Sequence, residues 1–137
     1  MILSTGQKAV LTELIPIAKL ALKAEKQTFP ISYRTHSLVC GPSGSGKSFL
    51  MHKLADILQV PILFLNVANW TPVGGKGEPT WIVIKEFIDE NPKGIIVLDE
   101  IDKIGSENSE WIGHVRLEIF DLLDARIPSS INVDDEW

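Results

Sequence analysis

The segment Gly41-Pro42-Ser43-Gly44-Ser45-Gly46-Lys47-Ser48 matches the phosphate-binding pattern G-x-x-x-x-G-K-[ST] at every defined position. It follows a short apolar run, residues 36–40, and opens a helical pattern that extends from Lys47 to about Gln59. Glycines let the backbone turn through conformations that a Cβ forbids, so that backbone N–H groups approach phosphate oxygens closely. The segment therefore predicts the strand, loop and helix start of a nucleoside triphosphate site.

Each part of the segment has an expected role. The backbone N–H groups of the loop would surround the phosphates, and the positive end of the following helix would add to the attraction. We expect the Lys47 ammonium to bridge the β and γ phosphates, and the Ser48 hydroxyl to contact Mg²⁺. The predicted nucleotide-binding residues are Gly41, Pro42, Ser43, Gly44, Ser45, Gly46, Lys47 and Ser48.

A second apolar run, Ile95-Ile96-Val97-Leu98, ends in the two carboxylates Asp99 and Glu100. An all-apolar strand is typical of a parallel sheet covered on both faces, so we interpret this run as a buried strand. In phosphate-loop proteins such a strand lies close to the loop. Asp99 would then hold Mg²⁺ directly or through water, and Glu100 is a candidate general base toward the attacking water. Taken alone, the two acids also fit a helix or turn cap.

Together these segments resemble the Walker A (41–48) and Walker B (95–100) segments of AAA+ ATPases. The continuation Asp99-Glu100-Ile101-Asp102-Lys103 is especially similar to that of Clp-type unfoldases. The resemblance covers roughly residues 37–126. It implies phosphate contacts by residues 41–48, Mg²⁺ contacts by Ser48 and Asp99, and catalytic roles for Glu100 and Lys47. ATP and Mg²⁺ are the implied cofactors.

The remaining pattern predicts an α/β fold. A helix is expected from Ser4 or Thr5 to about Gln27, kinked or divided at Pro16, and a second apolar strand at 61–67. Apolar helical faces follow at 81–88 and 112–123, and Leu50, Met51, Leu54, Ile57 and Leu58 of the loop helix are expected to face the core. The resemblance implies that the fold is a three-layer P-loop NTPase sandwich with a parallel sheet, which is the large subdomain of AAA+ proteins. Residues 1–35 would form an N-terminal helical segment that leads into the ATPase core, residues 36–137.

The composition of the chain limits its class of protein, its partners and its location in the cell. The chain has 137 residues, 45% of them hydrophobic and 23% charged, as in ordinary globular proteins. Its net charge of −5 argues against a general polyanion-binding surface, although a local basic patch for nucleic acid stays open. The single cysteine, Cys40, cannot form an internal disulfide, and we expect it to be buried in the strand before the loop. No apolar stretch is long enough for a membrane span, so the predicted location is the cytoplasm.

AAA+ domains continue, after the Asp-Glu strand and its helix, with a sensor strand, an arginine finger and a helical lid. This chain ends at Trp137 before any of them, and the missing strand would lie in the middle of the family's sheet. Unpaired backbone groups there would be costly if buried. We therefore expect a C-terminally incomplete domain: a fragment, or one part of a larger AAA+ protein or ring-shaped homo- or hetero-oligomer.

The resemblance also places the central pore loop of AAA+ rings at residues 71–80. Clp-type unfoldases carry an aromatic residue there, whereas this chain has Gly75-Lys76. Trp70 or Trp81 would replace it only with a shifted register, and Lys76 would suit an anionic substrate. The identity of the protein or nucleic-acid substrate stays open.

Two functions remain open at this stage. One is a Mg²⁺-dependent ATPase core that remodels a protein or nucleic acid, which the carboxylate of Glu100 favours. The other is a nucleotide-dependent binding or assembly module without efficient turnover, which the missing sensor, finger and lid favour. A metabolite kinase is a further alternative. A small GTPase is not favoured, because the chain lacks the Asn-Lys-x-Asp guanine-reading motif.

Overall fold

The structure, a computed structural model, describes residues 3–23, 36–42, 44–105, 109–126 and 128. Helices and strands alternate along most of these residues, and the two strands form a parallel sheet, which confirms the predicted α/β class. The elements in chain order are helix α1 (Thr5–Lys23), helix α2 (Lys47–Leu58), strand β1 (Ile62–Asn66), helix α3 (Thr80–Glu90), strand β2 (Ile95–Asp99) and helix α4 (Glu110–Leu123). Short 3-10 turns follow each strand, at Val67–Asn69 and Ile101–Gly105.

The sheet contains β1 and β2 as neighbours. Both were predicted from their apolar runs, and both ends of each strand lie within one residue of the ends of the predicted run. Their side chains are half-buried rather than fully buried, and the last residue of each strand is exposed. The expectation of a buried Asp-Glu strand was therefore too strong, because the described residues give each strand only one neighbour.

The apolar run before the loop does not form the predicted strand. Residues 36–40 carry no regular secondary structure; the Leu38 side chain is 74% exposed, and Cys40 is exposed rather than buried. A strand requires a pairing neighbour. The resemblance implies that this neighbour would follow the Asp-Glu strand along the chain, and the described residues after β2 contain a 3-10 turn and a helix but no strand.

The chain divides into two compact units. The first contains residues 1–62 and 93–95, and its core is a contact between α1 and α2. Leu11 of α1 is buried against Leu50 and Leu54 of α2, which confirms part of the predicted inward face of the loop helix. Ile57 contradicts it, since its side chain is 44% exposed. Helix α1 runs through Pro16 as one undivided helix.

The second unit contains residues 63–92 and 96–137. Its core is built around two tryptophans, one before the loop 71–79 and one at the start of α3, and the inner face of α4. Trp70 and Trp81 are at most 1% exposed, and Trp81 is buried as its position on an apolar helical face predicts. Trp111 of α4 is 41% exposed and is not part of this core. Among the described residues, the fully buried members of this core are Val67, Trp70, Trp81, Ile84, Val115 and Ile119.

Some predictions fall outside the described residues. These are the predicted nucleotide contact Ser43, the end of the first helix near Gln27, the end of the predicted N-terminal segment at residue 35, and the C-terminal segment 129–137. Among the helices of the described ranges, none combines the length and the apolar character that crossing a bilayer requires.

Candidate nucleotide site

The described residues of the loop 41–48, which leave out position 43, include backbone conformations that close approach to a phosphate requires. Gly44 and Gly46 have φ angles of +78° and +84°, a region that side-chain-bearing residues rarely adopt. The Ser45 N–H donates to the Pro42 carbonyl at 3.2 Å, which closes a tight turn inside the loop. Gly44 and Gly46 thus provide conformational freedom that the loop uses.

Helix α2 begins at Lys47, directly after the loop, as the motif predicts. Its cap residue, Gly46, offers no side-chain acceptor, and the first turn contains no acidic residue. The first N–H groups of a helix lack partners within the helix and carry a partial positive charge. Because neither a cap nor a carboxylate satisfies them here, this helix start can accept an anion.

The two side chains of the motif for which chemical roles are expected, Lys47 and Ser48, lie in the first turn of α2. Lys47 is half-buried, and its ammonium donates to the carbonyl of Gly41 and also to that of Pro42 at 3.0 Å. Its positive charge is therefore held over the loop's own backbone. The neighbouring Ser48 is exposed, so its hydroxyl is open to a ligand.

The acidic pair lies at the carboxyl end of β2, as predicted. Asp99 and Glu100 are both exposed, and an Asp99 carboxylate oxygen accepts the Glu100 N–H at 2.9 Å. Glu100 has a φ of +56°, in the left-handed region that costs a residue with a Cβ about 1 kcal/mol or more. Backbone strain of this kind concentrates at functional positions, where the surrounding structure holds it in place.

Sequence reasoning missed one residue beside the loop. The Gln7 side chain, from the start of α1, donates from Nε2 to the Ser45 carbonyl at 3.4 Å. A local signal for its conformation was present in the sequence, because Ser4-x-x-Gln7 before an apolar run is a helix capping pattern. Nothing in that pattern indicates the contact with the loop, which joins residues 38 positions apart.

The segment 71–79 contains no exposed aromatic residue. Trp70 and Trp81 flank it but are buried, so neither replaces the missing pore-loop aromatic residue in this structure. The base of the loop is closed by Thr71 and Thr80: each backbone N–H donates to the other residue, at 2.8 and 3.0 Å. Lys76 is exposed at the tip.

The loop and the acidic pair both lie within a segment that matches a known protein family. The model of the ATPase family associated with various cellular activities (AAA) matches residues 37–126, which include the loop, the acidic pair and most of the helices. The chain belongs to this AAA family. The match confirms the resemblance to AAA+ ATPases drawn from the two Walker segments.

Individual relatives of this AAA chain are Clp-type proteins. The mitochondrial ATP-dependent clpX-like chaperone of Saccharomyces cerevisiae is 45% identical over 78 residues, 52% of this chain and 15% of that protein. The ATP-dependent Clp protease ATP-binding subunit ClpX 2 of Wolinella succinogenes is 33% identical over 81 residues, 54% of this chain and 20% of the relative. The ClpX subunit of Treponema denticola is 32% identical over 112 residues, 69% of this chain and 27% of the relative. The AAA chain thus spans about a quarter or less of these curated relatives.

Proposed function

We propose that this chain binds ATP with Mg²⁺ and hydrolyses it, as the ATPase core of a protein that remodels a protein or nucleic-acid partner. The observation that carries the proposal is the loop 41–48. Gly44 and Gly46 adopt positive φ angles, and the loop leads into a helix start that no side chain caps, in a chain of the AAA family. Such a loop favours a phosphate group over other ligands.

The residues present suit both proposed cofactors. For ATP, the chain offers the loop amides, the α2 start and the Lys47 ammonium, all of which attract anions. For Mg²⁺, the family pattern assigns the Ser48 hydroxyl and the Asp99 carboxylate, and oxygen donors are the ligands that this ion prefers. When bound, the ion would neutralise charge that develops on the phosphate oxygens. The proposed nucleotide contacts are the eight residues of the segment 41–48.

Glu100 is the proposed general base. Its carboxylate is exposed and follows the acidic metal-ligand candidate by one residue, so that it is open to a water molecule. A carboxylate in this role accepts the proton of the attacking water as the bond to phosphorus forms. Lys47 contributes by placing a positive charge on the phosphates.

The remodelling role follows from the family and from the printed names of the relatives, which include a chaperone and protease ATP-binding subunits. Conversion of hydrolysis into work on a partner would take place in an oligomer, in which neighbouring subunits complete the site. The second candidate is a binding or assembly module that uses ATP without efficient turnover. The exposed Leu38 and the absence of regular secondary structure in residues 36–40 favour it for this chain alone, since the described residues give the loop no strand on its upstream side.

The cytoplasm is the proposed location, on the ground that a single exposed cysteine suits a reducing compartment. One relative is mitochondrial by name, and the mitochondrial matrix would satisfy the same chemistry. Cell fractionation with an antibody to the native protein distinguishes the two compartments. Light scattering with and without ATP measures the proposed oligomer.

The decisive experiment measures MgATP binding and phosphate release on the same samples. Three proteins are compared: wild type, Glu100→Gln and Lys47→Ala, with Glu110→Gln as a control that changes an exposed glutamate outside both Walker segments. The ATPase proposal expects Glu100→Gln to bind MgATP like the wild type while phosphate release falls at least about a hundredfold. Lys47→Ala should lose binding. Wild-type binding with no phosphate release would favour the binding module, and no magnesium-dependent binding at all would refute both functions.

A further inference from the structure

The side-chain amide of Gln7 forms hydrogen bonds with two segments, the start of α1 and the loop 41–48. Its Oε1 accepts the Ser4 N–H at 2.9 Å, while the Gln7 N–H donates to the Ser4 hydroxyl at 3.2 Å. These reciprocal bonds satisfy backbone groups at the start of α1 and hold the Gln7 side chain in one orientation. Because Oε1 faces Ser4, the NH₂ end of the same amide points away from the cap.

That NH₂ end lies against the phosphate-binding loop. Nε2 donates to the Ser45 carbonyl at 3.4 Å, and it lies 2.5 Å from the position that a Cβ on Gly46 would occupy. The absence of a side chain at Gly46 therefore has a second use besides its positive φ: it leaves room for the Gln7 amide. The Gln7 side chain thus lies against two neighbouring loop residues, Ser45 and Gly46.

The contact joins two helices that are already packed together. Leu11, one turn after Gln7 on α1, is buried against Leu50 and Leu54 of α2, and α2 is the direct continuation of the loop. The position of Gln7 relative to the loop is thus set by a buried apolar contact and not by the 3.4 Å hydrogen bond alone. A side chain held in this way can orient a loop, whereas an exposed side chain on a free helix cannot.

We propose that Gln7 is a positioning residue for the nucleotide site, one that orients the peptide between Ser45 and Gly46 for phosphate. In a trans peptide the C=O and N–H bonds point in opposite directions. By engaging the Ser45 carbonyl on one side, Gln7 directs the Gly46 N–H to the other side and leaves it available to an anion. This inference rests on the proposed function, since it assigns a support for the same site.

The coupling works in both directions. Anything that holds the Ser45–Gly46 peptide in this orientation also favours the Gln7 contact, so nucleotide binding should stabilise the start of α1. Conversely, loss of the contact should loosen the loop even without nucleotide. Both effects are measurable separately from catalysis.

The test uses variants that separate capping from loop contact. Gln7→Glu still offers an acceptor oxygen to the Ser4 N–H but cannot donate to Ser45, and it adds a negative charge beside the loop. Gln7→Ala removes both functions. Ser4→Ala removes only the hydroxyl of the cap, so it is the matched control for α1 stability. MgATP affinity is measured by calorimetry on the full chain, and amide hydrogen exchange of residues 41–50 is measured without nucleotide.

We expect Gln7→Ala to weaken MgATP binding about three- to tenfold, the loss of one hydrogen bond. Gln7→Glu should weaken it more than Gln7→Ala despite the intact cap, and Ser4→Ala should remain within about twofold of wild type. Both Gln7 variants should speed exchange in residues 41–50. Equal affinity in wild type, Gln7→Ala and Gln7→Glu would overturn the inference and leave the nucleotide function standing.

Two other outcomes also decide against it. If Ser4→Ala loses as much affinity as Gln7→Ala while Gln7→Glu binds like wild type, Gln7 acts only as a helix cap. If the wild type itself binds no MgATP, the proposed function fails first, and the role of Gln7 fails with it.

Discussion

Replacement of Glu118 by leucine should destabilise the chain strongly, although Glu118 belongs to neither Walker segment. Glu118 lies on the inner face of α4 and is only 7% exposed. One carboxylate oxygen accepts the indole N–H of Trp70 at 3.3 Å, and the other accepts the backbone N–H of Val73 at 3.0 Å. Leucine has a similar volume but no acceptor, so both donors lose their partner.

The size of the effect follows from the burial of the two donors. An unsatisfied buried donor costs about 1 to 3 kcal/mol. Trp70 is 1% exposed, so water cannot replace its lost partner, whereas Val73 is half-buried and regains part of its loss through solvent. We therefore expect a loss of about 2 to 4 kcal/mol in the free energy of unfolding. Glu118→Gln keeps one acceptor oxygen and turns an NH₂ group toward the other donor, so its cost should be intermediate, about 1 to 2 kcal/mol.

Urea unfolding followed by tryptophan fluorescence measures this loss, because Trp70 and Trp81 are buried and report on the same core. Glu110→Gln, an exposed acid on the same helix, is the control and should change the unfolding free energy by less than about 1 kcal/mol. A double-mutant cycle of Glu118→Leu with Trp70→Phe should give a coupling of about 1 kcal/mol, since phenylalanine has no N–H to leave unpaired. A loss below 1 kcal/mol for Glu118→Leu, with no coupling to Trp70, would refute this reasoning.

Three further substitutions test the loop, the acidic pair and the core, and a fourth, Gly6→Ala, is the control for the loop. Gly46→Ala imposes a positive φ on alanine and places its Cβ against Gln7, so the MgATP affinity measured by calorimetry should fall at least about tenfold. Gly6→Ala, at a helical glycine with open space around it, should instead raise the melting temperature slightly. Glu100→Gly relieves the left-handed strain and should add about 1 kcal/mol to the unfolding free energy while phosphate release is lost; unchanged stability would contradict the strain argument. Ile84→Ala opens a cavity at a fully buried residue and should cost about 2 to 5 kcal/mol in urea unfolding. A cost below 1 kcal/mol there would mean that the core of the second unit is not packed as described.

The features that could be predicted from the sequence are those that neighbouring residues determine. The loop at 41–48 and the start of α2 follow from the spacing of Gly41, Gly46 and Lys47, and the structure places α2 where the motif requires it. The two strands at 62–66 and 95–99 follow from uninterrupted apolar runs between turn residues. In each case the signal lies within a dozen residues of the element that it predicts.

The predictions that failed depended on contacts with distant segments. Residues 36–40 have the apolar composition of a strand, but a strand also needs a partner, and composition does not supply one. Cys40 was expected to be buried only because that strand was expected. Ile57 lies on the apolar face of α2 by spacing, yet the packing of α1 against Leu50 and Leu54 leaves it 44% exposed.

Glu118 was overlooked for a related reason. An acid between Val115 and Ile119 on the inner face of a helix is a conflict within the local pattern, and such conflicts mark positions with a specific partner. The sequence thus indicates that Glu118 has a specific partner. It could not indicate the partner, because Val73 lies 45 positions away along the chain.

Gln7 and Glu118 solve the same physical problem in two places. A loop without regular structure leaves backbone N–H and C=O groups that need partners, and neighbouring residues rarely supply all of them. In the phosphate-binding loop the Ser45 carbonyl is satisfied by a side chain 38 positions away, and at the loop 71–79 the Val73 N–H is satisfied by one 45 positions away. Both side chains come from helices, whose packing fixes them. The shape of each irregular segment therefore depends on residues outside its motif, and substitutions at Gln7 or Glu118 should alter loop order, measured by amide hydrogen exchange, while every motif residue is intact.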